Sequence, residues 1–127
     1  MNMRTPLKNV RRLGSAKEGV SHWWRQRITA VALVPLGLWL VASLASLDIA
    51  SYDAAVAWIR DPLTTVLLSL TVSCLVYHSW LGVGVVIEDY VGAKGAKLVG
   101  LLLSSFAHVF IAAVCLIAIF KVALGAA

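Results

Sequence analysis

One histidine stands inside a long apolar run, and its chemistry sets the first question. The run is Leu63 to Val86, and His78 lies within it, eleven residues before the pair Asp89-Tyr90. An imidazole in hydrocarbon needs a partner, so a histidine within a membrane span is a functional candidate by default. Its helical neighbours at minus four and plus four are Cys74 and Gly82, with Ser79 adjacent and Gly84 close by. Small residues of this kind let a flat group, such as a haem seen edge-on, come close to a backbone. They equally let a second helix come close, with the histidine as hydrogen-bonding glue. On the residues alone both readings stand.

Three further groups invite the same question. Asp89 and Tyr90 come just past the edge of the apolar run. A phenol beside a carboxylate at a membrane edge suits binding a quinone carbonyl and relaying a proton to it. The other reading is an aromatic-belt tyrosine and a solvated loop charge. Arg27, with His22 and Arg25 close in sequence, sits at the mouth of the first apolar run. These side chains suit snorkelling to phosphates, or holding the carboxylates of a bound group bidentately. His108, in the last apolar run, falls at a depth similar to His78. It reads either as the second ligand of an intrachain bis-histidine haem or, with Ser104 and Ser105, as an interhelical hydrogen-bonder. Cys74 and Cys115 form no CxxC and read as small buried hydrophobes. No hydrolytic triad, phosphate loop or dinucleotide fingerprint is present, so no residue is assigned as catalytic by itself. The chain reads as a subunit of something larger.

The elements that must position these groups are membrane helices. The chain has 127 residues, of which 61% are hydrophobic and only 13% charged, with a mean hydropathy of +0.89. Soluble domains run near about 45–50% and 25%. The first span is expected at about 28–47, with Pro35 kinking it rather than breaking it. The second is expected at 63–86 and the third at 97–124. Each is long enough to cross about 30 Å of hydrocarbon. Between the first two, the segment ending in Trp58 is expected to form a short interfacial helix. Asp61 reads as the N-cap, and Pro62 as the first turn, of the second span. A loop carrying Glu88, Asp89, Lys94 and Lys97 joins the last two spans, with Gly92 and Gly95 expected to let it turn. His78 lies eight residues before the end of its span, about 12 Å along the axis.

Charge sets the expected orientation. Seven of the eleven Lys and Arg residues lie in the first 27 positions, and Lys94 and Lys97 lie in the second loop. Only Arg60 and Lys121 fall on the other side. The asymmetry places the N-terminus and the exit from His78 in the cytoplasm and the C-terminus in the periplasm. Residues 1–26 then form a basic arm along the headgroups, anchored by Trp23 and Trp24, and residues 27–127 the three-helix domain. The basic balance suits a membrane surface rather than nucleic acid. The arm lacks the hydrophobic region of a secretory signal, although an Arg-rich, acid-poor leader also fits a mitochondrial presequence. A bacterial inner membrane is the expected location, and the mitochondrial inner membrane the other reading.

Two stretches resemble a known family, the small D-type membrane anchor subunits of succinate dehydrogenase, respiratory complex II. HSWLGVGVVIEDYV resembles the family's His-x10-Asp-Tyr pattern, met here by His78, Asp89 and Tyr90 without a gap. SAKEGVSHWWRQRITAVAL is similar to the family's lead into its first helix. The resemblance implies an all-α membrane protein of three spans, packing with a sister cytochrome b anchor subunit around a b-type haem. It implies that these two chains hold a flavoprotein subunit and an iron–sulfur subunit at the membrane, within the tricarboxylic acid cycle and respiratory electron transport. It implies that His78 is one axial ligand to the haem iron and that Tyr90 bonds ubiquinone, with Asp89 in the proton path. Arg27 is implied near the haem propionates and quinone pocket, and His22 matches loosely beside it. His108 has no counterpart in the pattern. A purely structural membrane adaptor and a self-contained bis-histidine cytochrome remain the competing readings.

Overall fold

The computed structural model describes residues 16–48 and 51–125, with side chains from Val20 onward. Four helices make up the described chain: α1 (Ala16–Ser46), α2 (Tyr52–Arg60), α3 (Pro62–Tyr90) and α4 (Lys94–Ala123). Of these, α1, α3 and α4 are long and apolar enough to cross a membrane. At 29 and 30 residues, α3 and α4 reach about 44 Å, well beyond the hydrocarbon thickness, so their ends emerge or their axes tilt.

The starts of α2 and α3 follow from local chemistry. The Ser51 hydroxyl accepts the Ala54 N–H at 3.2 Å and opens α2, the short helix expected before Pro62. The Asp61 carboxylate accepts the Thr64 N–H at 2.9 Å, and Pro62 takes the first turn of α3. Both caps satisfy backbone donors that have no partner inside the helix. Hydroxyls further along α3 return to their own backbone: Ser69 to Thr65, Thr71 to Leu67 and Ser73 to Ser69, all at 2.7–2.8 Å. That is how a polar side chain is satisfied where no water is available. Pro35 lies within α1, which continues through it.

Helix ends differ from the expected spans. Helix α1 begins at Ala16 rather than near Ile28, so the proposed arm of residues 1–26 is helical from Ala16 and continuous with the span; residues 1–15 lie outside the described residues. Helix α3 runs on to Tyr90, and α4 begins at Lys94. The expected loop therefore shrinks to Val91, Gly92 and Ala93, and its four charged residues belong to helices. Hydropathy marks where lipid ends, whereas a helix continues until its backbone meets a stop signal. Gly92 lies in that connection, as expected, whereas Gly95 falls in the first turn of α4, and neither has a positive φ. The one described residue with positive φ is Gly125, at 74°.

Helix α3 is central: it packs against α1 on one side and α4 on the other, and the backbones of α1 and α4 stay apart. Arg60 Nε donates to the Val122 carbonyl at 3.2 Å, tying the end of α2 to the end of α4. Trp39 of α1 stacks on Trp58 of α2 at 6.1 Å between ring centroids. Among the described residues Leu81, in the middle of this arrangement, is the buried hydrophobe, at 3% exposure. Val31, Phe106, Val109 and Phe110 are instead each about 70% exposed. The apolar surface faces outward, as it does when lipid or another chain is the solvent.

Candidate functional site

The site is built where α1 crosses α3. His78 is half-buried and turned toward α1. The Gln26 side-chain amide donates to its Nε2 at 3.2 Å. Its Nδ1 lies 2.9 Å from the Thr29 hydroxyl. Thr29 is itself buried, and its hydroxyl reaches the Arg25 carbonyl at 2.9 Å and the Gln26 carbonyl at 3.1 Å. Gly82, one turn beyond His78, faces the Gln26 amide: a Cβ there would stand 3.6 Å from Gln26 Nε2, an ordinary contact. Neither Gln26 nor Thr29 stood out in the sequence. Polar residues four and seven positions after His22, at the start of a span, were the available signal.

An open cleft of about 830 Å³ continues from this contact toward the helix ends, lined by His22, Trp23, Arg25, Gln26, Gly82 and Glu88 among others. A smaller hollow beside it adds Trp80, Gly84 and Ser105 to His22, Arg25 and Glu88. His22, Arg25, Gln26 and Thr29 lie three or four residues apart, so they share the face of α1 that meets α3. Arg27 does not. It is exposed, and its guanidinium sits over the Trp23 ring at 5.3 Å from the centroid. The arginine at the cleft is Arg25, whose Nη2 and Nε bond the Ser21 hydroxyl and carbonyl, each at 3.2 Å. Two positions along a helix are a turn of about 200°, which is why two arginines so close in sequence part company.

Asp89 and Tyr90 form the last turn of α3, both exposed, Tyr90 to 85%. Eleven residues are close to three full turns, so Asp89 lies on the same stripe of α3 as His78, about 16 Å nearer its C-terminal end. Acidic residues at a helix C-terminus oppose the helix dipole, at a cost of roughly 0.3–1 kcal/mol each. Glu88 and Asp89 both sit there. Lys97 of α4 offsets part of this by donating its ammonium to the Glu88 carbonyl at 2.6 Å.

His108 serves a different contact. Its Nδ1–H donates to the Ser104 carbonyl at 2.7 Å, and its Nε2 accepts from Ser79 of α3 at 3.2 Å. Beside it the Trp80 indole N–H donates to the Ser105 hydroxyl at 3.0 Å. An apolar hollow of about 330 Å³ between α3 and α4 is lined by Tyr77, Trp80 and His108. His78 of α3 thus bonds across to α1, whereas His108, on α4, bonds back to α3 through Ser79. The structure does not bring the two imidazoles to one site.

A resident group can be tested against this chemistry. Among the described residues no cluster of three or more His, Cys, Asp or Glu is placed to hold a free metal ion. A haem asks less of a chain, since its iron needs only axial ligands from protein. A ligating imidazole donates one ring N–H to the protein and keeps the other nitrogen for the metal. His78 fits that pattern. When the Thr29 proton goes to the Arg25 carbonyl at 2.9 Å, Nδ1 is the nitrogen that carries the ring proton and donates it. Nε2 is met by a neutral amide whose own oxygen, Gln26 Oε1, is buried without a partner.

Comparison with known proteins agrees with this architecture. Residues 1–120 match the family described as succinate dehydrogenase/fumarate reductase transmembrane subunit. The chain belongs to that family. Among its relatives is the succinate dehydrogenase hydrophobic membrane anchor subunit of Rickettsia bellii, 33% identical over 93 residues, which cover 73% of this chain and 74% of that one. The protein of the same description from Paracoccus denitrificans is 33% identical over 93 residues, covering 71% and 70%. The succinate dehydrogenase membrane anchor subunit of Reclinomonas americana is 30% identical over 90 residues, covering 68% and 75%. For a member of this family, the three apolar helices are transmembrane elements.

Proposed function

We propose that this chain is a membrane anchor subunit of succinate dehydrogenase, that His78 is one axial ligand of a b-type haem shared with a sister anchor subunit, and that Asp89 and Tyr90 form part of a ubiquinone-reduction site. The observation that supports the haem reading is the pairing of the two ring nitrogens of His78, Nδ1 with the buried Thr29 hydroxyl at 2.9 Å and Nε2 with the neutral Gln26 amide at 3.2 Å. His22 and Arg25, lining the adjoining cleft, are the groups that would meet the haem carboxylates, with Glu88 opposing them. Arg27, which the family resemblance implies for that duty, is exposed on another face of α1, over the Trp23 ring. When bound, the haem supplies one-electron redox chemistry near the quinone.

The chain's own residues then act on the quinone. Its reduction takes up two electrons and two protons, the electrons coming from the iron–sulfur subunit. Tyr90 donates a hydrogen bond to the carbonyl oxygen where negative charge develops, the task an oxyanion donor performs. Asp89, beside it and next to water, hands protons to that edge. The quinone tail stays in lipid while its head meets these groups where α3 emerges. The N-terminus and the α3–α4 turn face the cytoplasm of a bacterial inner membrane, on the charge asymmetry, and the flavoprotein and iron–sulfur subunits bind that face.

The test is a reduced-minus-oxidised spectrum of the purified complex with the native chain and with His78→Leu. A b-type α-band that is lost or displaced in the variant is the expected result. A band untouched by the substitution overturns ligation by His78 and returns the residue to helix packing.

A further inference from the structure

The two ring nitrogens of His78 have partners of very unequal permanence. Thr29 is buried, at 9% exposure, and is anchored through its hydroxyl to the backbone of its own helix at 2.9 and 3.1 Å. A threonine hydroxyl has one proton to give and lone pairs to receive. With that proton directed at the carbonyls of α1, a lone pair remains for His78 Nδ1 at 2.9 Å. Nothing else in this arrangement has to move for Thr29 to keep its bond. Gln26 is different. Its amide nitrogen meets Nε2 at 3.2 Å, at the long end for such a bond, and making that contact strands its Oε1 without a donor in a buried place. An unsatisfied buried carbonyl is a standing cost, and a rotation of the side chain into the adjoining cleft relieves it.

We propose that Thr29 is the positioning residue that fixes the tautomer and ring plane of His78, and that Gln26 is a placeholder on Nε2 that gives way when the haem iron takes that nitrogen. The inference rests on the reading of His78 as a ligand, and it assigns the neighbours that reading leaves unassigned. A hydrogen bond accepted from Nδ1–H makes Nε2 a stronger donor to a metal. A stronger donor stabilises the oxidised iron, so Thr29 holds the haem midpoint potential down. Gln26, once displaced, no longer touches the ring and has no such effect.

Two measurements test this, one on each state. In the assembled complex, Thr29→Val is expected to raise the haem midpoint potential, broaden the low-spin ferric electron paramagnetic resonance signal and weaken haem retention by roughly 10–100-fold. Thr29→Ser restores all three, and Gln26→Leu leaves the potential and the resonance signal as in wild type. Unchanged potential and signal in Thr29→Val, or a shift in Gln26→Leu as large as in Thr29→Val, overturns the assignment. In the haem-free full chain in lipid bilayers, nitrogen NMR of labelled histidine, with the His78 signals identified by their loss in His78→Leu, is expected to show the ring proton on Nδ1. A proton on Nε2 in the native chain overturns the Thr29 role whether or not the Thr29 variants assemble. The haem-free arm fails or holds independently of ligation. A haem band that survives His78→Leu removes ligation and the placeholder together, while the tautomer still decides what Thr29 does.

Discussion

His78 and His108 show how one residue type takes two roles within a single helical pair. Each imidazole is half-buried, and each spends both nitrogens on protein. His108 returns its proton to its own backbone and accepts from Ser79, which fastens α4 to α3. His78 offers a lone pair to a side chain that is poorly satisfied in holding it. At this scale the proposed function makes two predictions. His108→Leu in the assembled complex keeps the haem band and lowers only stability, read as an earlier thermal loss of activity; a haem lost with His108 would instead favour the self-contained cytochrome. Tyr90→Phe removes one donor to the quinone oxygen and is expected to lower the quinone-reduction rate on the order of 10²-fold, with the haem spectrum unchanged. Succinate oxidation by an artificial acceptor taken directly from the complex should keep its rate, since Tyr90 lies at the membrane edge.

Caps and close approaches decide behaviour at the scale of elements. Asp61 carries the N-terminus of α3 through its bond to the Thr64 N–H. Asp61→Ala is expected to cost about 1 kcal/mol, seen as faster hydrogen exchange at Thr64 and its neighbours. The glycines divide into two kinds. Gly92 and Gly95 have ordinary φ angles, and a methyl group added at either would meet nothing within 4 Å, whereas a Cβ at Gly100 would lie 3.3 Å from the Ile87 side chain. Alanine at Gly95, within α4, should therefore leave assembly intact and stabilise the helix by roughly 0.4–1 kcal/mol. Alanine at Gly100 presses α4 away from α3 and should lower the thermal stability of the complex. Equal effects of the two substitutions would show that α3 and α4 do not pack as described.

Across the whole molecule, the balance of inside and outside is inverted relative to a soluble domain. One hydrophobe is buried among the described residues, while thirty large ones are exposed. Three long helices, with α3 packed against both of the others, have no interior large enough to hold them together in water. Lipid and neighbouring chains must cover the rest. Expression without the sister anchor subunit is accordingly expected to yield a chain that inserts but retains no haem, as absorbance of the isolated membranes would report. Orientation belongs to this scale as well. A single cysteine placed at Lys94, in a chain cleared of Cys74 and Cys115, should react with an impermeant thiol reagent only from the cytoplasmic side, and one placed at Tyr52 only from the other.

The sequence alone determined that this is a membrane protein, how many spans it has and where the second of them is capped. Hydropathy, Asp61-Pro62 and the short helix ending near Trp58 are properties of neighbouring residues, and neighbouring residues are what a sequence displays. The His-x10-Asp-Tyr spacing was legible for the same reason, because all of it lies on one helix. Helix ends were read less well: lipid solubility stops at Val86 and resumes near Ala96, but the backbone of α3 has no reason to stop before Tyr90. What only the tertiary structure decided is which residues of one helix meet those of another. Arg25 rather than Arg27 lies at the cleft, and Gln26 and Thr29 hold His78, because the angle at which α1 meets α3 selects one face of each. That angle is set by packing between segments some fifty residues apart in the chain, and no local pattern records it.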